Sequence, residues 1–465
     1  MGHASPVMAP SGRASVHADG VVTPPGWSAA VQAGGWVFVS GTMATDFESG
    51  IAAEARVDPR QPHLHDALER QSHHILSTVG ELLKAAGCDI RRDILRIWQW
   101  APSKYPSHED YEAAAPNWPR FHSATPYARV LKEMVGDPRR ASTGIGVRQL
   151  AVPGALMAVD LIAAQPRSGL EKQAFRAPEG VPQPDIGYSP AIRWGDWVFL
   201  AGFGATDFRG DWMASQHMGE PSMVAPEARV NPYIWLGSAI EAQTEYTLSM
   251  MSKIAQAAGT SLDRCVKADV TIAHPNDFAG MDRVWRKWFP KNPPARTVVT
   301  GAQLVIKGVR VEIALQCLAG DSALSKHTIA VPELPSVPGH APHAVRAGHF
   351  LFLSSQLPIG REGAVPDELR RDPALPYFRL NARRQAELLL ERIERICEAA
   401  GTSLANVCKV QAFLDDLEHL PEVLTAWTNA FPAEPPALTA LGMGGGAPLL
   451  APGAHVQLDC ISYIP

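Results

Sequence analysis

Three stretches of the chain alternate apolar with other residues and close on small ones: WVFVSGTMATD (Trp36 to Asp46), WVFLAGFGATD (Trp197 to Asp207) and FLFLSSQLPIG (Phe350 to Gly360). A period of two predicts β-strands with one face on a core. Behind each run the apolar residues recur every three or four positions. They are Ile75, Val79, Leu82 and Leu83, then Leu248, Met251, Ile254 and Ala255, then Leu389, Ile393 and Ile396. That spacing predicts helices with one stripe against a sheet. Each helix ends in AAG, at Gly87, Gly259 and Gly401, and a glutamine stands at one constant distance before each glycine: Gln71, Gln243 and Gln385. The pattern is an internal repeat in three copies, registered to the residue.

Each copy reads strand, strand, helix, strand, helix, strand, strand. In the second, 191–201 is a hairpin turning at Gly195 and Asp196, 240–258 a long helix, 265–273 a strand and 277–288 a short amphipathic helix. Segments 296–304 and 309–318 close it. The third copy repeats the order through VCKVQAFL, a helix ending at Phe431, and AHVQLDCISY. The first keeps its helix and the strand ILRIWQW, but 101–140 is long and broken by prolines, and reads as an insertion beside a site. The expected domains are 1–165, 185–320 and 338–465, joined by Pro/Gly-rich linkers 166–184 and 321–337. The fold class is α+β, with sheets inward and helices outward.

A chain of 465 residues fits about three domains, each large enough for its own core. Apolar residues at 46%, charged residues at 19% and a net charge of −5 describe a globular protein without the basic field a phosphate backbone demands, so nucleic acid is not an expected partner. The opening MGHASPVMAPSGRASVHADG has no apolar core for a signal peptide, and no run approaches the roughly 20 apolar residues of a membrane helix. No membrane partner and a cytoplasmic location are expected. Six cysteines without CxxC spacing read as reduced core thiols. His63, His65, His73 and His74 lack a carboxylate at ligand spacing, so no metal is expected. RASTGIG in the first copy lacks the Lys of a phosphate loop and reads first as a tight strand pairing and second as an anion-binding strand.

The ending of the second copy, PARTVVTGAQLVIKGVRVEIALQCLA (Pro294 to Ala319), together with VFLAG and AAG, resembles the YjgF/Rid family, also called the L-PSP endoribonuclease-like family. The resemblance implies α+β domains of the chorismate-mutase-like fold, assembled as trimers with ligand pockets at the boundaries. Three fused copies would form a pseudo-trimer in one chain, alone or in a small multiple. The activity implied is hydrolysis of reactive 2-imino and 2-enamino acids to 2-oxo acids and ammonia, with no metal or organic cofactor.

Carried over residue by residue, the resemblance gives Arg296 as the carboxylate clamp, a role suited to a planar guanidinium. The backbone at Val298 would orient the substrate, Glu312 would handle the attacking water, and Tyr188 and Gly202 would line the pocket. In the first copy Trp27 and Gly41 stand at the Tyr and Gly positions, with Ser142 for the Arg and Ala158 for the Glu. The third has Ala341, Ser355, Leu438 and Gln457 there. Glu312 also stands out by itself: it alternates with Val311 and Ile313 on a buried-looking strand, where a carboxylate must be paired or have its pKa tuned. One active cleft is expected, with Arg296 and Glu312 projecting into it together as catalytic residues. The expected function is a Rid-like hydrolase acting on a small carboxylated imine or enamine. The alternatives are a non-catalytic small-carboxylate binding protein, suggested by the degenerate copies, and a pathway enzyme for a larger ring substrate. An endoribonuclease fits worst, given the acidic balance.

Overall fold

The computed structural model describes residues 12–465 except 104–124, 137–139, 184–186, 209–223, 232, 235, 302, 305, 371–380 and 445–448. Three β-sheets share one strand order. In the first, the hairpin Ala30–Ala33 and Trp36–Thr42 is followed by Ala158–Ala164, Ile94–Pro102 and Ala141–Val147. The second runs Ala191–Trp194, Trp197–Gly204, Val311–Leu318, Cys265–Ile272 and Ala295–Thr300. The third runs Ala344–Ala347, Phe350–Leu353, Val456–Tyr463, Val407–Leu414 and Ala437–Gly442. The last two strands of each order are parallel. A parallel pair needs a crossover, which the short helices Thr125–Val135, Phe278–Trp288 and Leu420–Ala430 supply.

The long helices Ala67–Ala85, Ala239–Ala257 and Asn381–Ala399 cover one face of each sheet. Asp66 and Ser238 cap the first two by accepting from Glu69 N and Glu241 N, which satisfies N–H groups that a helix start leaves orphaned. Gly87, Gly259 and Gly401 follow the helices at φ 77°, 73° and 81°, where a glycine ends a helix without a Cβ penalty. The spaced glutamines are braces. Gln71, Gln243 and Gln385 donate through Nε2 to the carbonyls of Gly154, Gly308 and Gly453 at 3.0, 2.8 and 2.9 Å. Their Oε1 atoms accept from the N–H groups of Leu156, Arg310 and His455 at 2.8, 2.7 and 2.7 Å. Each ties its long helix to the turn that feeds the central strand, and only a side chain with both donor and acceptor does this.

The opposite sheet faces meet in a shared core. Trp36, Trp197 and Phe350, the first residues of the three alternating runs, come together there. Trp36 stacks on Phe350 at 4.3 Å and meets Trp197 edge-on at 4.9 Å. Sheet edges are covered by exchange: Gln303–Leu304 pairs with the outer strand of the first sheet, and Gln149–Leu150 with that of the third. Covered edges cannot template aggregation.

Several expectations need correction. The closing segment 296–304 is two strands, because the chain leaves the second sheet after Thr300 to pair with the first. Both expected linkers carry edge strands, Gln173–Phe175 and Lys326–Ile329. The 101–140 segment contains the crossover helix Thr125–Val135, and the rest of its interior lies outside the described residues. Cys265 and Cys317 face each other on paired strands and are joined as a disulfide; their separation of 52 residues hid the pair. Among the described residues, no helix is long and apolar enough to cross a membrane.

Candidate active site at a sheet junction

Each hairpin abuts the outer strand of a neighbouring sheet, through contacts such as Ser189 N to Arg140 O at 3.0 Å and Ser355 N to Arg296 O at 3.2 Å. A threonine of that strand faces the hairpin each time, and a residue near the start of the central strand completes the junction. The first hairpin meets the third sheet at Gly41 and Thr439, with 2.8 Å between a Cβ built on Gly41 and Thr439 Cγ2; Ala158 leaves this junction without a carboxyl. The third hairpin meets the second sheet at Ser355, where Gln457 donates to Val298 O at 2.9 Å and Ser355 Oγ at 2.7 Å. The second hairpin meets the first sheet at Gly202, Thr143 and Glu312. A Cβ on Gly202 would collide with Glu312 Oε1 and lie 2.9 Å from Thr143 Oγ1, so only glycine leaves the carboxyl its place.

This third junction is looser than the others. Ser40 Oγ accepts from Leu438 N, and Ser354 Oγ accepts from Arg296 N, both at 2.9 Å. At the equivalent position the second hairpin has Ala201, which has no hydroxyl. Beside Glu312 lies a cavity of about 20 Å³, bordered by Trp98, Trp100, Thr143, Thr271 and Val299. That is room for about one water. Burial raises the Glu312 carboxyl from 4.5 to about 8, with the charge of Arg96 opposing the rise only in part. Burial and the neighbouring Glu312 also push the Tyr188 hydroxyl up. At neutral pH Glu312 is therefore mostly protonated, able to give a proton and take it back.

Arg296 is elsewhere. It pairs across to Ala268, which pairs in turn with Leu315, whereas Glu312 pairs with Thr271. Since side chains alternate along a strand, Arg296 and Glu312 emerge on opposite faces of one sheet. Arg296 is buried on the helix side, its Nη2 2.7 Å from Asp282 Oδ1 and 3.3 Å from Pro338 O, with Trp285 and Phe278 rings beside it. Burial works against the charge on Asp282, but Arg296, the His340 N–H and Arg286 together hold its carboxyl below its ordinary value. The expected joint projection of Arg296 and Glu312 into one cleft is therefore corrected. The Val298 carbonyl is engaged by Gln457, Trp27 is buried in the third sheet's core against Phe47, and Gly41 belongs to a different junction from Gly202. Of the residues expected in the site, Glu312, Gly202 and Tyr188 come together.

Three further side chains come from the outer strand of the first sheet, the residue before it and the helix packed behind it, and of these Thr143 borders the cavity. Thr143 Oγ1, the Tyr127 hydroxyl, and Nε and Nη1 of Arg140 are buried without a hydrogen-bond partner among the described residues. Arg140 Nη2 reaches Gly187 O at 3.3 Å, next to Tyr188. Arg140, the first residue of RASTGIG, is the signal in the sequence, two residues before the position that Arg296 holds in the second copy.

Deeper in, the three sheets share buried charges. Arg96, Lys267 and Lys409 occupy one position on the three middle strands, and each pairs with an acid of another sheet. Arg96 meets Asp269 at 2.9 Å, Lys267 meets Asp459 and Lys409 meets Asp160. Asp160 and Asp459 sit at equivalent places on central strands, opposite Trp98 and Gln411. In the second sheet that place is Ala314, opposite Asp269 itself, and Ala314 lines the cavity beside Glu312. Among the described residues, the one His/Cys/Asp/Glu group with metal-ligand spacing is Asp415, His419 and His455, which does not border this cavity.

The Endoribonuclease L-PSP family profile matches residues 226–318 and 334–464. A RutC family protein of Pyrococcus horikoshii is 33% identical over 144 residues, which are 30% of this chain and 98% of that protein. A protein of Dermatophagoides farinae named 2-iminobutanoate/2-iminopropanoate deaminase is 29% identical over 132 residues, 28% of this chain and 85% of its own. A solved chorismatase structure is 11% identical, with a TM-score of 0.46, covering 80% of this chain and 93% of its own.

Proposed function

Because this chain belongs to the Endoribonuclease L-PSP family, also known as YjgF/Rid, we propose that it is a cytoplasmic deaminase of small carboxylated imines or enamines, working at the Glu312 junction. The observation that carries the reading is the contrast among the three junctions, which present Ala158, Gln457 and Glu312 at one position. Only Glu312 can exchange a proton, and it lies beside a water-sized cavity with its carboxyl near 8. In this reading the Glu312 carboxyl protonates the imine nitrogen. Water adds to the imine carbon and returns a proton to Glu312, giving a carbinolamine. Proton transfer to its nitrogen and cleavage of the C–N bond release ammonia and the 2-oxo acid. Arg140 precedes the outer strand of the first sheet and reaches the Gly187 carbonyl beside Tyr188; with two unpartnered nitrogens among the described residues it is the carboxylate anchor at the Tyr188 end of the pocket, which Tyr188 walls.

The same reading takes the chain as three fused chorismate-mutase-like units, 1–165, 185–320 and 338–465, that form a pseudo-trimer. Its supports are the recurring strand order, the three glutamine braces and a relative that fits almost whole into 30% of the chain. Ammonia release from 2-iminopropanoate, generated in place by an amino-acid oxidase, is the test. Wild type should exceed background, and Glu312→Gln and Arg140→Leu should not. No rate above background in wild type overturns the reading. A carboxylate-induced thermal shift without product would place the chain among non-catalytic binding proteins instead.

A further inference from the structure

The turn that feeds the central strand is built alike in the second and third sheets. Ala273 N donates to Arg310 O at 2.9 Å, and Asp415 N to His455 O at 3.2 Å. The next N–H, of Arg310 or His455, goes to the brace Gln243 or Gln385. A short 3-10 turn before each crossover helix ends at Asp277 or His419. In the second sheet this slot holds an ion pair, Arg310 to Asp277 at 2.8 Å. In the third the same slot holds two imidazoles and a carboxylate.

We propose that Asp415, His419 and His455 form a binding site for one first-row divalent transition ion, best suited to Zn²⁺, with a coordination position left for water. His455 Nδ1 lies 2.8 Å from Asp415 Oδ2, His419 Nε2 lies 3.7 Å from Asp415 Oδ1, and the two rings are 4.6 Å apart. One ligand atom from each residue falls within 4.8 Å of the others. Donors around a tetrahedral Zn²⁺ with bonds of about 2.0–2.2 Å stand about 3.3–3.6 Å apart, so small side-chain rotations close the set. Two nitrogens and one oxygen favour Zn²⁺ and its neighbours over Ca²⁺ or Mg²⁺, which select oxygen ligands.

The scaffold is stiff where a site requires it. His455 is fixed at its N–H by Gln385 at 2.7 Å, and Asp415 Oδ1 accepts from Asp416 N at 2.9 Å. All three side chains remain 16% to 23% exposed, which leaves an ion a way in. Nothing in the deaminase reading uses these residues, so the proposal stands apart from it.

The test is Zn²⁺ titration by calorimetry of the full-length chain after chelator treatment, with metal content measured in parallel. Wild type should bind one equivalent. His419→Ala, His455→Ala and Asp415→Asn should each weaken binding by roughly tenfold or more, since even an outer-shell partner is worth that to a metal site. The double variant His73→Ala/His74→Ala should bind as wild type does. Circular dichroism identifies any variant that has lost its fold, and Asp415→Asn, which keeps size and shape, then decides. Absence of saturable binding in wild type overturns the proposal, as does loss of binding in the His73/His74 variant with the three site variants unchanged.

Discussion

Replacing Glu312 with glutamine should make the protein more stable in alkali and leave it unchanged in acid. In the unfolded chain a glutamate loses its proton near its ordinary value of 4.5, and in the folded protein Glu312 holds it to about 8. Between these values the folded state binds more protons than the unfolded one, so stability falls as pH rises through the window, and the full cost is present above it. A displacement from 4.5 to about 8 corresponds to at most about 4.8 kcal/mol, at about 1.36 kcal/mol per pH unit. Glu312 is part-exposed, and screening by water reduces the figure to roughly 3 kcal/mol. Glutamine keeps the shape and carries no charge at any pH. Thermal unfolding of wild type and Glu312→Gln should therefore coincide at about pH 4.5 and separate progressively to about pH 9. If the chain unfolds in one cooperative transition, an entropy of about 2.1 cal/mol/K per residue makes the final gap roughly 3 °C. A gap that is constant across pH, or a variant that is less stable in alkali, would refute the placement of a mostly protonated carboxyl at this junction.

Gly202→Ala drives a methyl into Glu312 Oε1; it should cost about 1–3 kcal/mol in unfolding experiments and abolish ammonia release. Arg296→Ala removes the buried partner of Asp282 but leaves that carboxylate Arg286 and the His340 N–H, so it should cost about 1–3 kcal/mol, while carboxylate binding measured by calorimetry at the Glu312 junction stays as in wild type. If binding disappears with the melting temperature intact, Arg296 belongs to the pocket after all. Lys409→Met alone leaves Asp160 buried and unpaired and should cost about 3–5 kcal/mol. Adding Asp160→Asn should recover a good part of that loss, a coupling that a double-mutant cycle measures.

Much of the framework could be read from periodicity. The alternating runs, the long helices with their terminal glycines and the matched glutamines all depend on local backbone preferences or on a spacing that recurs. The face on which a strand residue emerges was harder to read. Arg296 and Glu312 lie on different strands, so their relative orientation depends on the pairing through Ala268, Leu315 and Thr271, which no single-strand pattern contains. The PART motif around Arg296 is that of a carboxylate clamp, but its partner Asp282 sits on the preceding helix, outside anything the motif contains. The buried charges do leave a trace in the sequence: Arg96, Lys267 and Lys409 each interrupt an apolar strand at one position. A basic residue there in all three strands calls for an acid from somewhere. Which acid answers is a matter of inter-sheet packing, and Asp269 in place of Ala314 could not be inferred from composition or spacing.

The change from Asp160 and Asp459 to Ala314 also has a consequence for how labour is divided. Two of the three central positions keep a bulky carboxylate, each paired with a lysine of another sheet. The third gives up that bulk, while its charge is supplied from the adjacent strand by Asp269. The pairing of buried charges is preserved, and a hollow opens beside Glu312. A ring of identical subunits cannot make such a trade, because each substitution would be copied into every junction and would loosen all three at once. In a single chain each junction is written separately, so two can keep their buried carboxylates while the remaining one opens.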